Sequence, residues 1–437
     1  MSWYVAAILI LLFALLFNLG MLAYAMYALL GILIISRLMT RRWIDNLEST
    51  RECNRQEASI GDTVAVIANI KNTGRWPIAW VLVEDLLPRG ALIFNPPNLQ
   101  LAGGRVQLFT IWPNQQKSLL YQMKCNRRGY YQIGPLVLES GDLFGLHRRY
   151  KVGSDPSFLM VYPKIVPIEG YDIASRRPIG EVRMTYRLFE DPTRIAGVRR
   201  YEPGDAMNRV HWRATAATGQ LHSKIYEPST VAGATFLLDF HKASHPDKDE
   251  PFRSDLAITA TASLARAIYE MGQQVGLVTN GRDAVDRIQT EGYSYDLRTR
   301  DAARKAVAMS DESDRLEPVV VPTRRGPEQF MQIRSALARL ELTTGLSLAE
   351  LIAETSFQIP RDATVIAVLA EPSDEDTIVM GNLVRQGYSV VAILNMYEDY
   401  EFSQAAGKLM AQGVEARHLK DEPAIGMIGK RMLYGAR

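Results

Sequence analysis

The sequence predicts a multidomain chain: an N-terminal transmembrane helical hairpin, an antiparallel β-sandwich, then an α/β domain with a parallel sheet. Three observations carry this reading. Residues Trp3 to Ser36 contain no charged side chain. From about Arg51 apolar residues recur with period two between turn residues. After Thr230, patterns of buried strands alternate with helical ones. A chain of 437 residues is too long for one ordinary core. The expected boundaries are 1–42 for the membrane anchor, 50–160 for the sandwich, 161–229 for a connector and 230–437 for the α/β domain.

The composition, 47% hydrophobic and 22% charged, is that of a globular protein. A net charge of +2, with no recognisable binding module, argues against nucleic acid as a partner. Cys53 and Cys125 make neither a disulfide framework nor a zinc site. A bridge between them is one reading; buried free thiols are the favoured one.

One helix needs about 20 residues to cross the hydrocarbon layer. The uncharged stretch is too long for one crossing without strong tilt and short for two. Asn18-Leu19-Gly20 supplies turn chemistry near its middle. The spacing therefore predicts a tight hairpin, Trp3 to Phe17 and Leu19 to Ile35, with one long tilted helix as the alternative. Arg37, Arg41 and Arg42 follow at once, and no Lys or Arg precedes Trp3. The positive-inside rule then puts the rest of the chain on the cytoplasmic side of the inner membrane. Ala23-Tyr24-Ala25 looks like a signal-peptide cleavage site, but the basic n-region is missing and apolar sequence continues past it.

In the β region, Thr63 to Ile70, Ala79 to Val83, Gln107 to Trp112, Ser118 to Cys125 and Tyr130 to Leu138 read as strands of a sandwich. Gly129 and Gly134 bracket an edge strand, and Phe144 is expected to plug the sandwich end. In the α/β region, strands are expected at Gly233 to Phe240, Gln274 to Thr279, Ala363 to Leu369 and Tyr388 to Leu394. Helices are expected at Ser254 to Met271, Phe330 to Leu342, Leu346 to Thr355, Ile378 to Gln386 and Phe402 to Gln412.

The least generic run is Arg199 to Glu227. Tyr201-Glu202-Pro203-Gly204-Asp205 reads as a tight turn, followed by Arg209, His211, Trp212 and Arg213, and then a strand entered through Gly219. From Arg176 to Arg213 nine arginines face five acids. Such a run is usually a solvated face; a lipid-facing or acidic-partner role is its functional reading.

This run resembles the signature of the bacterial family called domain of unknown function 58. Arg199, Tyr201, Gly204, Asp205, Arg209 and Trp212 fall in its places, with Val210 for the usual Ile. The Arg that usually closes the pattern is replaced by Ala217-Thr218. Arg127-Arg128-Gly129-Tyr130-Tyr131-Gln132-Ile133-Gly134-Pro135 and Asp142-Leu143-Phe144-Gly145-Leu146 resemble two further hallmarks, with Leu143 in a proline place. The resemblance implies a membrane-anchored protein with a von Willebrand factor A-like C-terminal domain, associated with a MoxR-type AAA+ ATPase.

Metal-binding A domains carry Asp-x-Ser-x-Ser with a distal Thr and Asp. Here Asp239 is present, but His241 and Ala243 stand in the serine places and Ala370-Glu371 in the Thr-Asp place. Two hard oxygen ligands are lost, so Asp239 is a weak metal candidate and no cofactor is expected. A nucleophile elbow, a Walker loop, a Rossmann fingerprint and a His-Glu-x-x-His helix are missing. The favoured reading is therefore a non-enzymatic adaptor. Its contact residues would be Arg199, Tyr201, Gly204, Asp205, Arg209 and Trp212, with lipid held through residues 3–42. A metal-dependent ligand binder and an envelope hydrolase are the rival readings.

Overall fold

The computed structural model describes residues 2–88, 90–168, 190–201, 210–228, 233–286, 316–361 and 363–434. Contacts divide the chain into two compact units: one built mainly from Met1–Pro163, the other from Lys164–Arg282 and Glu312–Arg437.

The first unit begins with helices α1 (Ser2–Leu16) and α2 (Gly20–Asp45). The chain reverses at Asn18, whose φ of 54° is tolerable for Asn. Among the described residues, α2 is the one helix long and apolar enough to cross a membrane; α1 is apolar but shorter. The expected hairpin turn is present, but α2 does not stop at Ile35. It runs on through the arginines because nothing after Gly31 breaks it, and because its last turns bury Trp43 and Ile44 in the sandwich core.

The strands that follow are β1 (Leu47–Cys53), β2 (Glu57–Ser59), β3 (Thr63–Asn72), β4 (Ile78–Asp85), β5 (Leu99–Gly103), β6 (Val106–Ile111), β7 (Gln116–Cys125), β8 (Gly129–Ile133), β9 (Leu136–Gly141), β10 (Arg148–Ser154) and β11 (Ser157–Tyr162). Two four-stranded antiparallel sheets, β1-β3-β7-β5 and β10-β9-β4-β6, face each other. Leu47, Ala68, Ile70 and Leu119 of one meet Val81, Val83, Leu136 and Leu138 of the other. A small third sheet, β2-β11-β8, has β8 at its edge, as its flanking glycines suggest, and includes one parallel pair, β2 with β11. The expected strand Tyr130 to Leu138 is two strands, divided at Gly134 and Pro135. Cys53 and Cys125 are free thiols.

Phe144 does not plug the sandwich. It is 67% exposed. The turn from β9 to β10 is closed at its base, where the Asp142 amide donates to His147 O at 3.1 Å and the His147 amide donates to Asp142 Oδ1 at 3.0 Å, and its tip is turned outward.

In the second unit, β12 (Glu190–Arg200) pairs antiparallel with β13 (His222–Pro228), the strand expected at Gln220 to Tyr226. A six-stranded sheet then takes β14 (Gly233–Leu238), β15 (Gln274–Thr279), β17 (Val319–Arg324), β19 (Ala363–Leu369), β20 (Ser389–Leu394) and β21 (Glu415–His418) in the order β17-β15-β14-β19-β20-β21; the two-residue strands β16 (Arg282–Asp283) and β18 (Leu340–Glu341) pair apart from it. The sheet is mixed rather than wholly parallel, because β17 runs antiparallel to β15 at one edge. Strand residues alternate between its faces. Phe236, Leu238, Ile366 and Val368 point to one core, and Leu237, Val365 and Ala367 to the other. Helices cover both: Phe252–Glu270, Pro327–Arg339 and Glu422–Tyr434 on the first face, Leu348–Thr355, Asp374–Arg385 and Asp399–Ala411 on the second. Capping boxes at Ser347–Glu350 and Ser373–Asp376 start two of these helices.

Candidate functional site

Ligands of open α/β sheets bind beyond the carboxyl ends of the strands, where the chain order switches direction. Here that point lies between β14 and β19, the central pair. Asp239 follows β14 and is buried. Its Oδ1 accepts from the His241 amide at 3.1 Å and from Asn280 Nδ2 at 2.8 Å. Asn280, just past β15, also donates to Leu346 O at 2.9 Å, and its Oδ1 accepts from the Phe240 amide at 2.6 Å. The Asn280 side chain thus joins three loops. The His241 ring is turned to its own loop, where its Nδ1 accepts from the Ala243 amide at 3.2 Å. Among the described residues no group of three His, Cys, Asp or Glu could hold a metal ion.

The same edge holds a buried cation. Arg253, in the first turn of the helix after β14, has a side chain only 2% exposed. Its guanidinium lies 4.6 Å from the Tyr397 ring centre, 3.9 Å from Asp249 and 3.7 Å from Glu371. Asn395, beyond β20, fixes the start of that helix by donating to Arg253 O at 2.7 Å. The two carboxylates and the aromatic face balance the charge of a guanidinium that has been taken out of water. Sequence reading missed Arg253, since a helix-start arginine looks solvated.

The signature run forms the β12–β13 hairpin and what it carries. Arg199 sits opposite Ser223, and Arg200 opposite His222. The Tyr201 amide continues the ladder to Leu221 O at 2.9 Å. Gly204, Asp205 and Arg209 lie outside the described residues. The chain returns at Val210, buried and bridged to Ser223. His211 then caps a short helix, Trp212–Thr218, its Nδ1 accepting from the Ala214 amide at 3.0 Å. The His222 amide donates to Thr215 Oγ1 at 3.1 Å, tying that helix to β13. Gly219, at φ 70°, ends the helix. Trp212 is left 64% exposed, and Val198 and Leu221 of the same hairpin are exposed too. Arg213 is also exposed, so aromatic, aliphatic and cationic groups share one small solvent-facing element. Such a mixture suits contact with another macromolecule.

Residues 197–318 match the family model described as "Protein of unknown function DUF58". The "Uncharacterized protein YeaD" of Bacillus subtilis (strain 168) is 23% identical over 264 residues, which is 60% of this chain and 62% of that protein, less than two thirds of its length. Among solved structures, the CARDB domain of the PF1109 protein of Pyrococcus furiosus is similar at 10% identity and a TM-score of 0.20, over 26% of this chain and 91% of that one. The PapD-like domain 7 of human CEP192 is similar at 12% identity and a TM-score of 0.17, over 25% and 82%. Likenesses at these scores carry nothing about fold or function.

Proposed function

We propose that this protein, which belongs through residues 197–318 to the DUF58 family, is a membrane-anchored, non-enzymatic adaptor that captures another protein. The observation that supports this best is Trp212, a large aromatic held out in solvent by a capped helix on the signature hairpin, which also carries Arg199 and Arg213. Trp and Arg dominate the energetics of protein interfaces. We read the six-stranded sheet as von Willebrand factor A-like, with Arg253 and Asn280 in place of the usual metal chemistry. The family resemblance suggests a MoxR-type AAA+ ATPase as the partner. The arginines after Ser36 favour an inner-membrane protein with its bulk in the cytoplasm.

The test is capture by the detergent-solubilised full-length protein. Trp212→Ala and Arg199→Ala should each cut recovery of the ATPase several-fold while leaving the melting temperature unchanged. Equal recovery by the variants would refute the surface. A C-terminus reached by protease added outside intact cells would refute the cytoplasmic reading.

A further inference from the structure

We propose that the turn between β9 and β10 is a second membrane contact, in which Leu143, Phe144 and Leu146 enter the boundary between lipid headgroups and acyl chains beside α2. The proposal rests on the membrane anchoring proposed above.

The tip is apolar and unburied. Leu143 and Phe144 are each 67% exposed and Leu146 51%. Gly145, at φ 73°, lets the chain turn sharply between them. Three large apolar side chains within four positions, all projecting into water, would be an unusual surface for a solvated loop.

The base is fastened to the helical hairpin. Ser36 Oγ donates to Asp142 Oδ2 at 2.5 Å and lies 3.0 Å from His147 Nδ1. The Tyr4 hydroxyl of α1 lies 3.1 Å from His147 Nε2 and donates to Leu33 O of α2 at 3.0 Å. Trp80 Nε1 donates to Asp142 O at 3.2 Å from the sandwich side. The cluster holds Ser, His and Asp, but it is not a nucleophile with its base. The serine proton is committed to Asp142, and the second imidazole nitrogen meets Tyr4 rather than a carboxylate.

Depth then follows from the attachment point. Ser36 is the last residue before Arg37, where the uncharged stretch ends. The apolar part of α2 ahead of Arg37 is about 25 Å long, against about 30 Å for the hydrocarbon layer. A loop joined to α2 at Ser36 therefore stands at the bilayer boundary. Arg37, Arg148 and Arg149 are exposed around it, positioned for lipid phosphates. Continuity with the spanning helix is what selects lipid as the occupant rather than a protein.

The test uses the full-length chain with Cys53→Ser, since Cys125 is buried. Single cysteines are introduced by Phe144→Cys, by Leu146→Cys as a second loop position, by Ile34→Cys in α2 and by Lys124→Cys. Lys124 pairs with Thr63, at the end of the sandwich away from where β1 leaves α2. Each is labelled with the environment-sensitive dye NBD and reconstituted into phosphatidylcholine–phosphatidylglycerol vesicles with or without brominated acyl chains. The expected result is blue-shifted emission and several-fold stronger bromolipid quenching at 144, 146 and 34 than at 124. Quenching at 34 with 144 and 146 behaving like 124 would overturn the loop contact alone. Labels at 144 and 146 shielded from iodide but untouched by bromolipid would also overturn it, showing a protein cover. No quenching at 34 would remove the anchoring reading, and this inference with it.

Discussion

The Arg51 guanidinium donates to Asp85 Oδ1 at 3.0 Å with both side chains sealed from solvent, inside the first unit. Tyr121 donates its hydroxyl to the other carboxylate oxygen at 2.8 Å. A buried pair of this kind is weak as a source of stability, but breaking it strands a charge.

Asp85→Ala should therefore destabilise the sandwich by about 3–5 kcal/mol, whereas Tyr121→Phe, which removes one hydrogen bond, should cost about 1–2 kcal/mol. Urea titration of the solubilised protein checks the order. Gly134→Ala should behave like a mild form of the first. Gly134 has φ 90°, and an added Cβ would lie 1.8 Å from Arg51 Nη1, forcing the guanidinium off Asp85.

The Ser36–Asp142 bond should make helix docking sensitive to acid. Burial works to raise the Asp142 pKa, but hydrogen bonds from the His147 amide and the Ser36 hydroxyl outweigh it and hold the carboxyl below its ordinary value. A depressed native pKa adds stability above the unfolded value of about 3.9, and that stability is lost as pH falls through the native one. Asp142→Asn should lower the melting temperature at neutral pH and flatten its dependence below about pH 4. An acid melting series on both proteins measures this.

The two thiols should be slow. Burial, helped by the nearby Asp62 charge, pushes Cys125 up to about 11, and burial also raises Cys53. A thiolate is the reactive form. With Ellman's reagent at pH 8, Cys125 should react only after unfolding, and Cys53 more slowly than a free thiol.

Asn280→Ala should damage the second unit. It would leave the Asp239 carboxylate and the Phe240 amide short of partners, at a cost of about 2–4 kcal/mol. Adding millimolar Mg²⁺ should neither restore the variant nor produce binding heat with the native protein, because Asp239 is already engaged.

Much of the architecture was legible, for physical reasons. The runs at 233–238 and 363–369 read as buried strands because both faces of their sheet are covered, so nearly every residue is apolar. The strand at Val319–Arg324 escaped because Pro322 interrupts it and it lies on an edge. The overrun of α2 was hidden because the arginines mark the end of the uncharged stretch, which need not be a helix end. At the site, Trp212 and Arg199 stand out locally. The burial of Arg253 depends on Glu371 and Tyr397, more than a hundred residues away in sequence, and the role of Asn280 depends on Asp239 and Leu346, which the fold brings to it.

Because α2 carries Trp43 and Ile44 directly into the sandwich, the apolar helix is joined to it with no free tether. A soluble version cut just after the greasy segment must retain residues 37–46, or it will expose the floor of its own core and aggregate. The same stiffness means that any rotation of the apolar helix would swing the sandwich like a crank.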